Sequence, residues 1–319
     1  MKVSVIIPMY NSEHTIEKCV KNILKQTHHD IEVLLINDCS KDNTLQIAEQ
    51  LANSDSRIRL FNNVNNIGAG LTRNLGLKNV TGEWVTFCDA DDYPDETWIE
   101  DFVSEVTDDT DLVVQGFYSN NWPNNRNGQI VAYKEKGDRD IVVDALCKHE
   151  VFGYLWCKMY RSSIIKRNHL EFGNFAIFED EMFNLNYLKY VKIISCSSKC
   201  NYHYTRPDFY AKYGHIDDFK ANMDMFVTAC DTFGTKPIRV KDMLVDRISD
   251  WLLAAYRQHQ TDKIEKLLMY CSTIRPYLPY AKTCRRSTQM LRYFIIPRSI
   301  RISDLGVNVY IMILRFIKR

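Results

Sequence analysis

Four short runs rich in apolar and β-branched residues punctuate the start of the chain: Val3 to Ile7, Ile31 to Ile36, Ile58 to Phe61 and Trp84 to Cys88. They are near-continuous rather than alternating, which is the pattern of strands buried on both faces of a parallel sheet. Between them, apolar residues recur at helical spacing. Ile16, Cys19, Val20, Ile23 and Leu24 follow the first run, Leu45, Ala48 and Leu51 the second, and Leu71, Leu75 and Leu77 the third. Strand and helix therefore alternate as a βαβ series. Pro8 ends the first strand, and Asn11 or Ser12 is the expected cap of the helix after it. Ser40 is the expected cap of the next helix, with Asp42 in its first turn.

After Trp98 the pattern loosens. It predicts a strand over Asp111 to Phe117, a polar loop over Asn120 to Gly128, and helices over Ile141 to Cys147 and Ser162 to Arg167. A further helix opens at Phe178-Glu179-Asp180-Glu181, and Tyr202-His203-Tyr204 forms an aromatic run. From Asp217 to about Cys271 the pattern is helical. The expected division is an α/β domain over 1–215 and a helical region over 216–319.

Composition adds two constraints. Of 319 residues, 45% are hydrophobic and 25% charged, the profile of a globular protein, and a net charge of +1 gives no global attraction to nucleic acid. The charge is uneven: residues 282–319 hold nine Lys or Arg against one acid, Asp304, which leaves the remainder at −7. The ten cysteines include no C-x-x-C pair, as expected for a reducing, cytoplasmic setting rather than a disulfide or zinc framework. The apolar run at the N-terminus is too short for a signal peptide, and no stretch approaches the 18 or so apolar residues of a spanning helix.

The candidate chemistry centres on Gly82 to Pro94, GEWVTFCDADDYP, where a strand runs into Asp89, Asp91 and Asp92. Carboxylates this close repel unless a cation sits among them, and a divalent ion with oxygen ligands is the natural partner. In an open α/β sheet, ligands bind outside the carboxyl ends of strands, where this cluster and Asp38 both fall. Gly68 and Gly70 suggest a dinucleotide loop, but the next glycine is Gly76, and the first strand-to-helix turn has none, so that reading fails.

Five motifs stand at strand ends and loops: V-S-V-I-I-P-x-Y-N at the N-terminus, N-D-C-S-K-D-N-T after the second strand, N-x-G-x-x-x-x-R-N at Asn66 to Asn74, D-A-D-D, and E-D at Glu179 and Asp180. In these, residues 1 to about 210 resemble the family 2 glycosyltransferases with the GT-A fold. The resemblance implies a GT-A catalytic domain with a mostly parallel sheet and a helical C-terminal extension. It implies a UDP-sugar donor, a Mn²⁺ or Mg²⁺ ion, and a glycan or lipid-linked acceptor. It places Pro8, Tyr10 and Asn11 at the uridine, and Asp38 at the uracil N–H, with helix capping as the alternative for Asp38. Arg73 would reach a diphosphate or hold Asp89. Asp89 would lie near the ribose and sugar, Asp91 on the metal, and Asp92 at the sugar or its loop. Asp180 would be the base, with Glu179 beside it, and His203 a further metal ligand. Lys158 in W-C-K-M-Y resembles a family segment or is a lysine with a packed stem. The family often has an arginine directly after the aromatic run, whereas here Thr205 intervenes before Arg206.

Two other classes compete. A nucleotidyltransferase would carry a glycine-rich basic N-terminal loop, which Pro8-Met9-Tyr10-Asn11-Ser12 is not. A non-catalytic sugar-nucleotide or glycan-binding protein would not need both the D-x-D and the E-D acids. From Gln289 the chain interleaves hydrophobes with arginines, and its longest uncharged apolar run there, Val309 to Leu314, is six residues. Such a segment suits peripheral contact with an anionic membrane on the inner face, packing on the protein, or a homo-oligomer contact.

Overall fold

The computed structural model describes residues 1–257 apart from 123–125, 131–135, 149–150, 176, 206–215 and 237, together with positions 260, 262, 266, 276 and 277. The basic tail and Arg206 lie outside the described residues. The chain divides into two compact units, Met1–Phe209 and Tyr210–Arg319.

The first unit alternates β1 (Val3–Met9), α1 (Ile16–Leu24), β2 (Ile31–Asn37), α2 (Thr44–Ser54), β3 (Ile58–Asn62), α3 (Ala69–Asn79) and β4 (Trp84–Phe87). Then come β5 (Tyr93–Pro94), α4 (Trp98–Ser104), β6 (Leu112–Trp122), β7 (Arg126–Ile130), β8 (Gly137–Asp138) and α5 (Arg139–Lys148). The unit closes with β9 (Lys158–Arg161), α6 (Ser162–Arg167), α7 (Glu179–Leu188) and β10 (Ile193–Thr205). One sheet runs in the order β3-β2-β1-β4-β9-β6-β10-β5. Its first four strands are parallel. Beyond β4 it is mixed: β9 is antiparallel to both neighbours, and β10 is parallel to β6 but antiparallel to β5. Every residue of β2 and β4 is buried, as their apolar runs require.

Two caps differ from expectation. Thr15 precedes α1 and Asn43 precedes α2, neither with a side-chain cap. The expected capping residues instead lace the β1–α1 and β2–α2 loops together. The Asn11 amide donates to Ser40 Oγ, the Lys41 amide to Asn11 Oδ1, the Ser12 amide to Thr44 Oγ1 and the Glu13 amide to Asp42 Oδ2. Asn11 can take part because its backbone turns left-handed, at φ 50°; asparagine tolerates that region better than most residues. The expected polar loop over Asn120 to Gly128 is instead the hairpin of β6 and β7, with Trp122 opposite Arg126. Ladder hydrogen bonds come from the backbone, so polar side chains do not forbid a strand there.

In the second unit, α8 (Ile216–Phe233) and α9 (Arg239–Arg257) pack on each other. The Phe219 and Trp251 rings lie 5.7 Å apart, and Asn222 Nδ2 donates to the Leu244 carbonyl at 2.9 Å.

One acid inside β2 carries unexpected weight. Glu32 is buried, and its carboxylate accepts from Ser4 Oγ and from the Thr81 and Gly82 amides, with Lys2 and Arg59 at 3.5 and 3.3 Å. It thus ties β2 and β1 to the turn that launches β4. Burial pushes its pKa up, but the hydrogen bonds from Ser4 and Thr81 and the charge of Lys2 outweigh burial and hold it at about 2. The unfolded value is about 4.3, so the ionised form stabilises the fold above that pH, and the contribution drains away as pH falls toward the folded value. Glu32→Gln should lower unfolding free energy by about 2 kcal/mol at neutral pH, the scale of hydrogen bonds to a charged group. Urea titrations should show the gap between parent and variant shrinking steadily below about pH 4.

Candidate active site

Pro8 does not end β1 as expected: it pairs with Ile36, and Met9 carries the ladder one residue further, to Asn37. The carboxyl ends of β1, β2, β3 and β4 bring together Pro8, the turn at Tyr10 and Asn11, Asp38, the loop from Asn63 to Gly68, and the Asp89–Asp92 turn. Tyr10 stands 44% exposed at this edge. Asp38 is buried and does not cap α2. Its Oδ1 accepts from Asn63 Nδ2 at 2.9 Å and from the Ile67 amide at 3.0 Å, and its Oδ2 accepts from the Gly68 amide at 2.9 Å. Asn66 Nδ2 reaches the Asp38 carbonyl. Gly68 enters α3 at φ 87°, a conformation that strains any residue with a Cβ. Asp38 therefore holds the loop that faces it.

Arg73 joins the two ends of the site. It sits on α3 and is 4% exposed. Its Nη2 donates to Asp89 Oδ1 at 2.9 Å, while Nη1 lies 3.0 Å from Asp180 Oδ1 and 3.3 Å from Glu179 Oε1. Its guanidinium carbon lies 5.6 Å from the centre of the Phe172 ring. Of the two roles open to Arg73, the structure shows it holding Asp89. It also holds the E-D pair, which sequence spacing could not reveal. Gly70 makes the approach possible: a Cβ there would come within 3.0 Å of Glu179 Cγ.

Three carboxylates face this one guanidinium. Desolvation pushes the Asp180 carboxyl well above the usual carboxylate range; Arg73 opposes this, while Glu179 and Asp89 reinforce it. Both acids stand in the first turn of α7, which follows Phe178 in a left-handed conformation at φ 63°. The strained entry aims that turn at Arg73.

The D-x-D acids separate by burial. Asp89 is half-buried on Arg73, and Asp91 is exposed. Asp92 is 2% exposed and accepts from the Tyr202 hydroxyl at 2.9 Å. The same hydroxyl accepts the Asp89 amide at 3.0 Å, so Tyr202 clamps both ends of the turn. The Tyr202 contact holds Asp92 in the loop. Burial beside Asp92 pushes the Tyr202 phenol up, which keeps it a neutral donor. Tyr202 was legible only as part of an aromatic run. His203, expected at the metal, is placed with Asp95: Nε2 lies 2.9 Å from Asp95 Oδ1, and the ring stacks between Tyr93 and Tyr118. Among the described residues, no group of three His, Cys, Asp or Glu forms a metal cage. Lys158 is 1% exposed, as the packed-stem reading expects.

A sheet whose parallel strands end in acids is an open α/β architecture that binds ligands at that edge. The sequence profile of glycosyl transferase family 2 matches residues 4–168, and the chain belongs to that family. It is 32% identical over 225 residues to the cholesterol galactosyltransferase of Borreliella burgdorferi, which covers 64% of this chain and 59% of that protein. It is 31% identical over 214 residues to the poly(ribitol-phosphate) beta-N-acetylglucosaminyltransferase TarS of Staphylococcus aureus, 65% of this chain and 36% of that protein. The chain thus spans about three fifths or less of the length of these relatives. The crystal structure of S. aureus TarS 1–349 in complex with UDP-GlcNAc matches with a TM-score of 0.70 at 22% identity, over 98% of this chain and 92% of that one.

Tyr202→Phe should leave the Asp89 amide and the Asp92 carboxylate short of a partner in a buried setting. The expected loss is about 1–3 kcal/mol of unfolding free energy. Chemical denaturation monitored by circular dichroism measures it, and an unchanged midpoint would remove the hydroxyl from the clamp.

Proposed function

We propose that this enzyme transfers a sugar from a UDP-sugar to an acceptor hydroxyl with inversion, in glycan synthesis. The observation that carries the reading is Asp180, a carboxylate of raised pKa ion-paired through Arg73 to the D-x-D acid Asp89. A carboxylate whose pKa is raised is a stronger base than an ordinary one, which suits it to take a hydroxyl proton. In the step, the acceptor oxygen bonds the anomeric carbon and the bond to UDP breaks, with the acceptor proton passing to Asp180. No covalent enzyme intermediate is needed.

The donor side follows from the loops. Tyr10 offers an exposed flat face for a base, and Pro8 and Asn11 complete its rim. Asp38 takes four contacts from three donors, the Ile67 amide being shared by both oxygens, and the uracil N–H would take the place of its longer contact to Oδ2. Asp91 fits a Mn²⁺ or Mg²⁺ ion: it is a hard, exposed carboxylate, and such ions are bound by one or two carboxylates together with substrate phosphates. The bound ion supplies charge neutralisation on the departing diphosphate. Asp89 then stays with Arg73, which keeps it oriented toward the donor. The names of the relatives support an acceptor hydroxyl on a polymer or a lipid. The basic, apolar tail from Gln289 supports peripheral contact with anionic lipid.

Calorimetry with UDP and Mn²⁺, and UDP release from UDP-GlcNAc as the first donor tried, test the reading. Asp180→Asn should keep UDP affinity within about twofold and lower turnover by about 10²- to 10⁴-fold. Asp38→Ala should weaken UDP by about 1–3 kcal/mol. Asp91→Asn should abolish the metal dependence. A parent protein that binds no UDP with or without metal overturns the proposal. For the tail, a chain ending near Lys282 should lose flotation with anionic vesicles at low salt; equal flotation of both forms removes the membrane role.

A further inference from the structure

Lys158 is a buried ammonium with no carboxylate at ion-pair distance among the described residues. Its Nζ donates to the Val151 carbonyl at 2.9 Å, to the Tyr154 carbonyl, and toward Cys157 Sγ at 3.4 Å. Asn184 takes the two carbonyls between: its Nδ2 donates to Phe152 at 3.1 Å and to Gly153 at 2.9 Å. All four consecutive carbonyls of the turn from Val151 to Tyr154 are thus drawn inward by one lysine and one asparagine. Asn184 is itself fixed by the Tyr160 hydroxyl, which donates to its Oδ1 at 2.7 Å. Lys158 and Tyr160 are two apart on β9 and share a face of the sheet. Asn184 and Asp180 are four apart on α7 and share a face of the helix. The turn also meets the helix directly, since a Cβ on Gly153 would lie 3.0 Å from Glu181 Oε1.

We propose that Lys158 is a positioning residue for Asp180: it fixes the 151–154 turn against α7 and supplies the second positive charge behind the carboxylate cluster. A buried ammonium without a counter-ion is costly unless the surrounding field is negative. Here Asp89, Glu179 and Asp180 exceed Arg73 by two charges when all are ionised, so the field is negative. The charged groups that act on the Asp180 carboxyl are Arg73 from α3, Asp89 from the end of β4, Glu179 beside it, and Lys158 from β9, and the buried Cys157 thiol and Tyr160 phenol also face it. Lys158 acts on it in the same sense as Arg73, favouring the ionised form. The inference rests on the reading of Asp180 as the base, but its test does not.

The test is carbon-13 NMR of Asp carboxyl groups in the full chain, with the Asp180 resonance assigned by its loss in Asp180→Asn. Lys158→Gln keeps a donor for the Val151 and Tyr154 carbonyls and removes the charge. It should raise the Asp180 titration midpoint by about half a pH unit or more, as removal of a nearby opposite charge does. Lys158→Arg should restore the parent midpoint, and UDP affinity by calorimetry should stay within about twofold, because the donor loops lie elsewhere. Lys158→Met is the second neutral variant, and the same rise is expected. An unchanged midpoint in either folded neutral variant overturns the proposal. So does failure of both to fold while Lys158→Arg folds, since the ammonium then serves the fold. If the midpoint moves but Asp180→Asn turns over normally, the base reading fails and the Lys158 assignment stands.

Discussion

The guanidinium of Arg73 is the constraint on which the first unit depends. It is buried, with three carboxylates from two distant parts of the chain and the face of the Phe172 ring around it. A buried charge of this kind is tolerated only when its geometry is well satisfied. That requirement fixes where α7 begins, how closely Gly70 must approach Glu179, and how Asp89 is turned. The three carboxylates hold Arg73 protonated against the cost of burial. In return, Arg73 lowers the proton affinity of Asp180 against burial, which raises it most, and against Glu179 and Asp89, which add to the rise. Fold and chemistry thus share one ion cluster.

The edge that carries Asp38 is built differently. There hydrogen bonds rather than ion pairs hold the strand ends: Asp38 gathers backbone amides, and the β1–α1 and β2–α2 loops hold each other through Asn11, Ser12, Glu13, Ser40, Asp42 and Thr44. Such mutual bonding pre-organises a binding surface and lowers the ordering cost of a ligand.

Much of this was legible in the sequence. The apolar runs that became β1 to β4 are long and pure enough that their period and order follow directly, and the acids at their ends had to fall on one edge. The E-D pair was visible as a helix start. What was not legible depended on contacts between distant segments. Asn11 and Ser40 looked like caps because both are good capping residues; the other loop of the pair decided their use. Glu32 went unremarked inside the apolar run of β2, and its partners at Ser4, Thr81 and Gly82 come from other segments. His203 looked like a ligand by residue type, but its register opposite Tyr93 and Tyr118 stacked it between two rings. Arg73 offered two roles, and its distance from the E-D acids along the chain hid the third.

That distance has a consequence for the order of assembly. Arg73 and Asp180 are 107 positions apart, and β5, at Tyr93–Pro94, pairs only with β10. Strands β1 to β4 and their helices need only one another, so they can associate early, while contacts spanning so much chain close late because of their loop entropy. Until α7 arrives, Arg73 keeps its water and the D-x-D turn lacks Tyr202. During synthesis the segment that carries Asp38 and the D-x-D turn therefore precedes the one that carries Asp180, and the ion cluster around Arg73 is complete only once α7 docks.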